Sequence, residues 1–141
     1  MNKTKESSLW KWLRGAEKYC GALLHWERVE NLVAKGTPDV MGCVEGSTFS
    51  LELKSVERPK RPTTPLHLNV TNEQALWAKA RHKAGGRHWF LVCVGGDKRY
   101  LVQGLHALML VEPLTEEMLE SFSDNYGSTV FELIQWIKFT S

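Results

Sequence analysis

With 141 residues, 43% hydrophobic and 24% charged, the chain has the size and composition of one soluble globular domain. No apolar run approaches the roughly 20 residues of a membrane span, and the first thirty residues show no signal-peptide pattern, so a cytoplasmic protein is expected. The net charge of +2 is lopsided: residues 1–111 carry 17 Lys and Arg against 10 Asp and Glu, and residues 112–141 carry one against six. A basic body with an acidic end suits a polyanionic ligand bound away from the C-terminus.

Residues 1–7 are polar. Ser8 reads as the cap of a helix beginning at Leu9, with Leu9, Leu13, Ala16, Cys20 and Leu23 at helical spacing and Gly21 near its end. Residues 24–30 alternate loosely as a first strand, and Ala34-Lys35-Gly36-Thr37-Pro38 is turn chemistry. Residues 40–44 predict a second strand, joined through Glu45-Gly46-Ser47 to a third over 48–55. That third strand alternates cleanly: Phe49, Leu51 and Leu53 face one way, and Ser50, Glu52 and Lys54 face the other, toward solvent, a cleft or a ligand.

Pro59, Pro62 and Pro65 make residues 57–65 a basic loop. A helix is predicted over 71–83, closed by Gly85-Gly86. The continuous apolar run 89–94 predicts a strand buried on both faces, and residues 100–103 form a further strand after the Gly95-Gly96-Asp97 turn. Two amphipathic stretches, 115–122 and 129–139, predict terminal helices. Helix, three strands, helix, two strands and terminal helices make an α/β protein with a single mixed sheet flanked by helices. Six tryptophans promise a compact core without staples. Cys20, Cys43 and Cys93 are odd in number with no C-x-x-C pair, and the five histidines lack paired spacing, which disfavours a disulfide framework or zinc site.

The chemistry-bearing segment runs from Gly36 to Lys54. Asp39 follows a Gly-Thr-Pro turn at the mouth of a strand, and Glu52 and Lys54 share the polar face of the next, roughly 6.6 Å apart. A hairpin between these strands lets Asp39 lie beside Glu52. Two adjacent carboxylates raise one pKa or demand a cation, and a hard divalent ion such as Mg²⁺ meets that demand. Such an ion activates water and offsets phosphodiester charge, while a neighbouring lysine orients the water or stabilises the transition state. Asp39, Glu52 and Lys54 are the parts of a metal-dependent phosphodiesterase. The bland alternative is that Glu52 and Lys54 are protective charges on an exposed edge strand.

Gly36-Thr37-Pro38-Asp39 followed, after a glycine-containing turn, by Glu52-Leu53-Lys54 resembles the motif of the PD-(D/E)XK phosphodiesterase superfamily. Within it, the chain looks most similar to the virus-type replication-repair nuclease (VRR-NUC) group, many of them small phage-encoded proteins. The similarity covers residues 9–104. It implies a restriction-endonuclease-like αβββαβ core with extra C-terminal helices, the whole of 1–141 being one nuclease domain with an acidic helical extension at 105–141. It also implies Mg²⁺ or Mn²⁺ held by Asp39, Glu52 and the Leu53 backbone carbonyl, with Lys54 positioning the water. DNA is the implied substrate, junction or branched duplex included, and a homodimer the implied assembly. A phage origin would place the protein in host cytoplasm.

The resemblance also points to supporting residues. Gln74 falls where such families carry a site glutamine, although Thr71-Asn72-Glu73-Gln74 is equally a capping box. Glu17, bordering the apolar stripe, is the candidate first-helix acid, with a solvated glutamate as the alternative. Arg28 precedes Asp39 and is a candidate either to contact a phosphate or to pair with a carboxylate in the cleft, and Arg58, Lys60 and Arg61 in the proline-rich loop are candidate phosphate contacts. Lys79, Arg81, Lys83 and Arg87 read better as a solvated helix end, and Trp77, Trp89 and Phe90 as core. Two other readings fit the same residues: a catalytically silent nucleic-acid-binding or regulatory module, and a phosphodiesterase acting on something other than DNA.

Overall fold

A computed structural model of the chain describes residues 3–29, 36–126 and 129–140. Helix α1 (Lys3–Leu13) leads through a 3-10 turn (Arg14–Ala16), the short α2 (Glu17–Cys20) and a second 3-10 turn (Gly21–Leu23) into strand β1 (Leu24–Arg28). Strands β2 (Val40–Val44) and β3 (Ser47–Val56) follow, then α3 (Asn72–Lys83), β4 (His88–Val94) and β5 (Lys98–Gln103). A 3-10 segment (Gly104–Leu110), α4 (Glu116–Phe122), the two-residue β6 (Asn125–Tyr126) and α5 (Val130–Phe139) complete the order.

One six-stranded sheet carries the strands in sequence order. All neighbours are antiparallel except β3 and β4, which run parallel, Glu52 facing Phe90 and Lys54 facing Val92. A parallel pair needs a crossover, and α3 supplies it. The sheet is therefore mixed, as expected, with the αβββαβ order of a restriction-endonuclease-like core. Glu45 and Gly46 both have positive φ (46° and 88°), the geometry that matches a two-residue hairpin loop to strand twist.

Alternation along the strands splits the core in two. Leu51, Leu53, Leu91 and Leu101 pack under α1 and α5 with Leu9, Leu13, Leu133, Ile134 and Ile137. Phe90, Val92, Tyr100 and Val102 pack on the other face with Ala75, Ala78, Leu110, Leu114 and Leu119. The C-terminal helix is thus part of the first layer, and Arg87 ties it down by donating to the Ile137 and Thr140 carbonyls. Arg87 is half-buried for this reason rather than part of a solvated basic set.

Several boundaries differ from expectation. The first helix starts at Lys3, so Ser8 is interior to it and not its cap. It stops at Leu13, where Arg14–Ala16 winds as 3-10. Thr71, Thr115 and Thr129 do cap their helices through their side chains. The 3-10 segment after β5 and the short β6 carry no periodic signal and were not expected. Of the tryptophans, Trp89 is buried at 2% exposure, whereas Trp10, Trp12 and Trp26 pack at the core margin and Trp136 is exposed. Glu30 of the expected first strand and Ala34 and Lys35 of the expected turn lie outside the described residues.

No helix among the described residues is long and apolar enough to cross a membrane. Cys20, Cys43 and Cys93 are free thiols.

Candidate active site

The hairpin and the crossover helix bring four predicted side chains together. The Asp39 backbone is clamped on both sides: its carbonyl accepts from Val29 N–H at 2.6 Å and its N–H donates to the Leu51 carbonyl at 3.0 Å. Its carboxylate Oδ2 accepts from Leu53 N–H at 2.8 Å, which turns it across β3 toward Glu52. Gly36 explains the start of the Gly-Thr-Pro-Asp segment. Its φ is 87°, and a Cβ there would lie 2.5 Å from the Glu73 carbonyl oxygen. Only glycine lets this turn press against the first turn of α3, which carries Gln74.

Glu52 and Lys54 are 3% and 4% exposed, too buried for charges that merely protect a sheet edge. Glu52 Oε1 accepts from Gln74 Nε2 at 3.0 Å. Burial pushes the Glu52 carboxyl up to about 10, with the Asp39 charge and a hydrogen bond to Asp39 adding to the rise and Lys54 opposing it. The Lys54 ammonium donates to the Asn69 carbonyl at 2.9 Å, and Asn69 adopts a left-handed conformation (φ 57°) to present it.

Gln74 does both things the sequence allowed. Its backbone N–H donates to Thr71 Oγ1 at 3.1 Å and its Oε1 accepts from Thr71 N–H at 3.0 Å, a complete capping box. The remaining amide N–H groups point at Glu52. The cap therefore fixes the rotamer that reaches the acid.

The first-helix acid at this site is Glu6, not Glu17. Glu17 is 40% exposed at its side chain, accepts from Trp26 Nε1 at 2.8 Å and pairs with Arg14 at 3.1 Å, contacts that hold its carboxyl low. Glu6 is half-buried, and its carboxyl is raised first by burial and then by the charge of Asp39, with Lys54 and Arg28 opposing. Stepping back from Leu9 by three residues along the stripe Leu9, Leu13, Ala16 would have found it. The wheel misplaces Glu17 because Arg14–Ala16 winds at three residues per turn.

Arg28 reaches the same neighbourhood, donating to Ser7 Oγ at 3.3 Å. Arg58 does not face outward as expected for a backbone contact. It donates to Glu116 (2.8 and 3.1 Å), to Asp97 (2.8 Å) and to the Val94 carbonyl. Those bonds dock the proline-rich loop on α4 and the β4–β5 turn. Lys60 and Arg61 are exposed. Ser50 continues the polar face of β3 and is bonded at 2.7 Å to His88 Nδ1. Burial, helped by Arg81, pushes that imidazole down to about 3, so it stays neutral and serves packing.

Asp39 and Glu52 fit a cation. They are adjacent hard-oxygen donors in a desolvated site, and among the described residues neither forms an ion pair with Lys or Arg. Among those residues no set of three or more His, Cys, Asp and Glu side chains converges as a metal cage. The arrangement suits an ion that keeps waters and takes one or two carboxylates.

No family model matches the chain, and no curated protein matches it either. Solved structures do. Archaeoglobus fulgidus Hjc, a Holliday junction resolvase from an archaeal hyperthermophile, superposes with a TM-score of 0.57 at 14% identity, over 94% of this chain and 98% of that one. The chain has the fold of that resolvase. This agrees with the fold that the Asp39 and Glu52-Leu53-Lys54 motif implies, and at 14% identity the likeness is one of fold. A VRR_NUC domain also aligns, with a TM-score of 0.47 at 17% identity over 64% of this chain and 86% of that one, a score below what fixes a fold.

Proposed function

We propose that this chain is a metal-dependent DNA endonuclease of the PD-(D/E)XK superfamily. The observation that carries the reading is the acid pair of half-buried Asp39 and buried Glu52, flanked by the Lys54 ammonium and the Gln74 amide at one end of a β-hairpin. A fold that buries the Glu52 carboxyl beside Asp39, so that Glu52 is held protonated far above its ordinary range, sacrifices stability at neutral pH, which a cation-binding role explains.

Asp39, Glu52 and the Leu53 backbone carbonyl would hold Mg²⁺ or Mn²⁺, which when bound supplies Lewis acidity toward the phosphodiester and a more acidic water. The chain's own groups do the rest. Gln74 keeps the Glu52 carboxylate aimed into the site through its amide. Lys54, anchored at Asn69, retains donors for a water molecule and a positive charge for the extra negative charge of the transition state. Glu6 adds a third acid at the rim, and Arg28, Lys60 and Arg61 are available to backbone phosphates.

The nuclease core runs from α1, which carries Glu6, through β5, with α5 packed against the same sheet, and it makes a single domain. The resolvase fold makes a four-way junction the substrate of choice, and the need to cut two strands makes a homodimer the matching assembly. An intracellular location would suit a DNA-junction substrate.

The test is incubation of the purified chain with Mg²⁺ or Mn²⁺ on linear duplex, single-stranded and four-way-junction DNA side by side. Cleavage, fastest on the junction and lost in a folded Asp39→Ala variant, is expected. A wild-type protein that binds these DNAs and cuts none is a silent binding module, and cleavage by Asp39→Ala at the wild-type rate removes the assigned site.

A further inference from the structure

The two edges of the sheet differ. Strand β6 is two residues long, whereas β1 offers Leu24–Arg28, paired with β2 on one side only. Val29 N–H donates to the Asp39 carbonyl and Glu45 N–H to the Leu23 carbonyl, so the odd-numbered residues of this stretch direct their backbone groups at β2. Leu24, Trp26 and Arg28 direct theirs outward. Leu24 N–H closes the preceding 3-10 turn on the Gly21 carbonyl. The Leu24 carbonyl and both backbone groups of Trp26 and Arg28 make no hydrogen bond among the described residues.

A short edge strand is commonly guarded by charge alone, and β1 carries His25, Glu27 and Arg28. Here the polar side chains also fit one another. When β1 meets a second copy of itself antiparallel, three registers bring outward groups together over at least three residues of the strand, centred on His25, Trp26 or Glu27. Centring on Glu27 sets two carboxylates directly opposite, which is destabilising. Centring on His25 forms only two backbone hydrogen bonds, because Leu24 N–H is already used. Centring on Trp26 forms four: Trp26 with its copy in both directions, and each Arg28 N–H to the Leu24 carbonyl opposite. It also sets each exposed His25 opposite the exposed Glu27 of the other copy.

The other face of β1 supports the same register. Trp26 is half-buried and edge-on to Trp10 (5.1 Å) and Phe49 (6.4 Å), with its indole N–H donating to Glu17 at 2.8 Å. A dyad at Trp26 sets two such fixed rings side by side, a favourable cross-strand aromatic pair. That dyad stands perpendicular to the joined sheet, so both acid sites lie on one face. Asp39 is level with Val29, and Glu52 is beside it. Five strand spacings across and six residues along then separate Glu52 from its copy, about 30 Å in all.

We infer that two copies of this chain join edge to edge through β1, antiparallel about Trp26, into one continuous sheet. The use of that arrangement, two acid sites facing one side to cut two strands of a single DNA, rests on the nuclease reading; the edge pairing does not.

The test measures the mass of the full chain in solution by light scattering and the hydrogen exchange of its ¹⁵N-labelled amides. Wild type should be a dimer of twice 16.1 kDa, with the Trp26 and Arg28 amides protected and released on dilution. The His25 and Glu27 amides, bonded to β2, should stay protected throughout. His25→Glu sets carboxylates opposite one another and should weaken the dimer at least tenfold, and combining it with Glu27→Lys should restore the dimer. Both side chains are exposed, so the monomer fold is kept. A monomer at every concentration overturns the proposal, as does a dimer whose Trp26 and Arg28 amides exchange freely or that His25→Glu leaves intact. Protection of those amides in a monomer means that the chain covers its own edge, and overturns it too. Cleavage separates the two ideas: a monomer that cuts DNA refutes the pairing alone, and a dimer with this exchange pattern that cuts none refutes the nuclease alone.

Discussion

Replacing Glu52 by Gln should make the metal-free protein more stable at neutral pH while ending cleavage. In the folded chain the Glu52 carboxyl holds its proton up to about 10, against 4.5 when unperturbed. Between those values the folded state binds more protons than the unfolded one, so stability present at low pH is lost as pH rises through that window. At pH 7 the 2.5 pH units above 4.5, at about 1.4 kcal/mol each, correspond to roughly 3 kcal/mol. The introduced amide imitates the protonated acid: it can donate to Asp39 and accept from Gln74 without ever ionising. Glu52→Gln should therefore recover that energy at pH 7, roughly 10 °C in Tm for a chain of this size. The assay is thermal unfolding of both proteins in EDTA from pH 5 to pH 8. Wild type should lose stability with rising pH, and the variant should lose far less. Parallel curves for the two proteins would refute the buried neutral acid and with it the electrostatic argument for a cation.

Glu6→Gln should slow Mg²⁺-dependent cleavage at least tenfold, whereas Glu17→Ala should leave the rate unchanged; rates measured on one DNA substrate check both, and the opposite pattern restores Glu17. Gln74→Ala should lower Tm by the equivalent of about 1 kcal/mol, because Thr71 N–H loses its acceptor while the Thr71 side chain still caps the residue-74 N–H, and also reduce cleavage. Gln74→Glu keeps an acceptor for Thr71 N–H but sets a second carboxylate against Glu52, so it should lose cleavage at least tenfold while keeping the cap. Wild-type activity in Gln74→Glu would make that contact structural only.

Much of the fold was legible because its signals are local. Alternation in β3, the apolar run of β4 and the threonine caps of α3, α4 and α5 each depend on a few adjacent residues. The juxtaposition of Asp39 with Glu52 was legible too, since a hairpin fixes its own register. What escaped depends on non-local partners. Arg58 lies in a loop whose basic composition suggested DNA, and nothing nearby in sequence announces Glu116, 58 residues away. Glu6 was hidden because the polar run of residues 1–7 placed the helix start at Leu9, and Glu17 was favoured by assuming that one helix ran unbroken past Gly15. Asn69 holds Lys54 through its backbone carbonyl, so its only sequence signal is the tolerance of Asn for a left-handed conformation.

The central claim is that Asp39 and Glu52 share one divalent cation, and Mn²⁺ titration by calorimetry tests it without any DNA. Wild type should bind Mn²⁺ saturably at one or two sites and unfold at a higher temperature in its presence. A folded Asp39→Asn variant should lose that binding. Wild type showing neither heat nor thermal shift, or Asp39→Asn binding Mn²⁺ as tightly as wild type, would contradict the account.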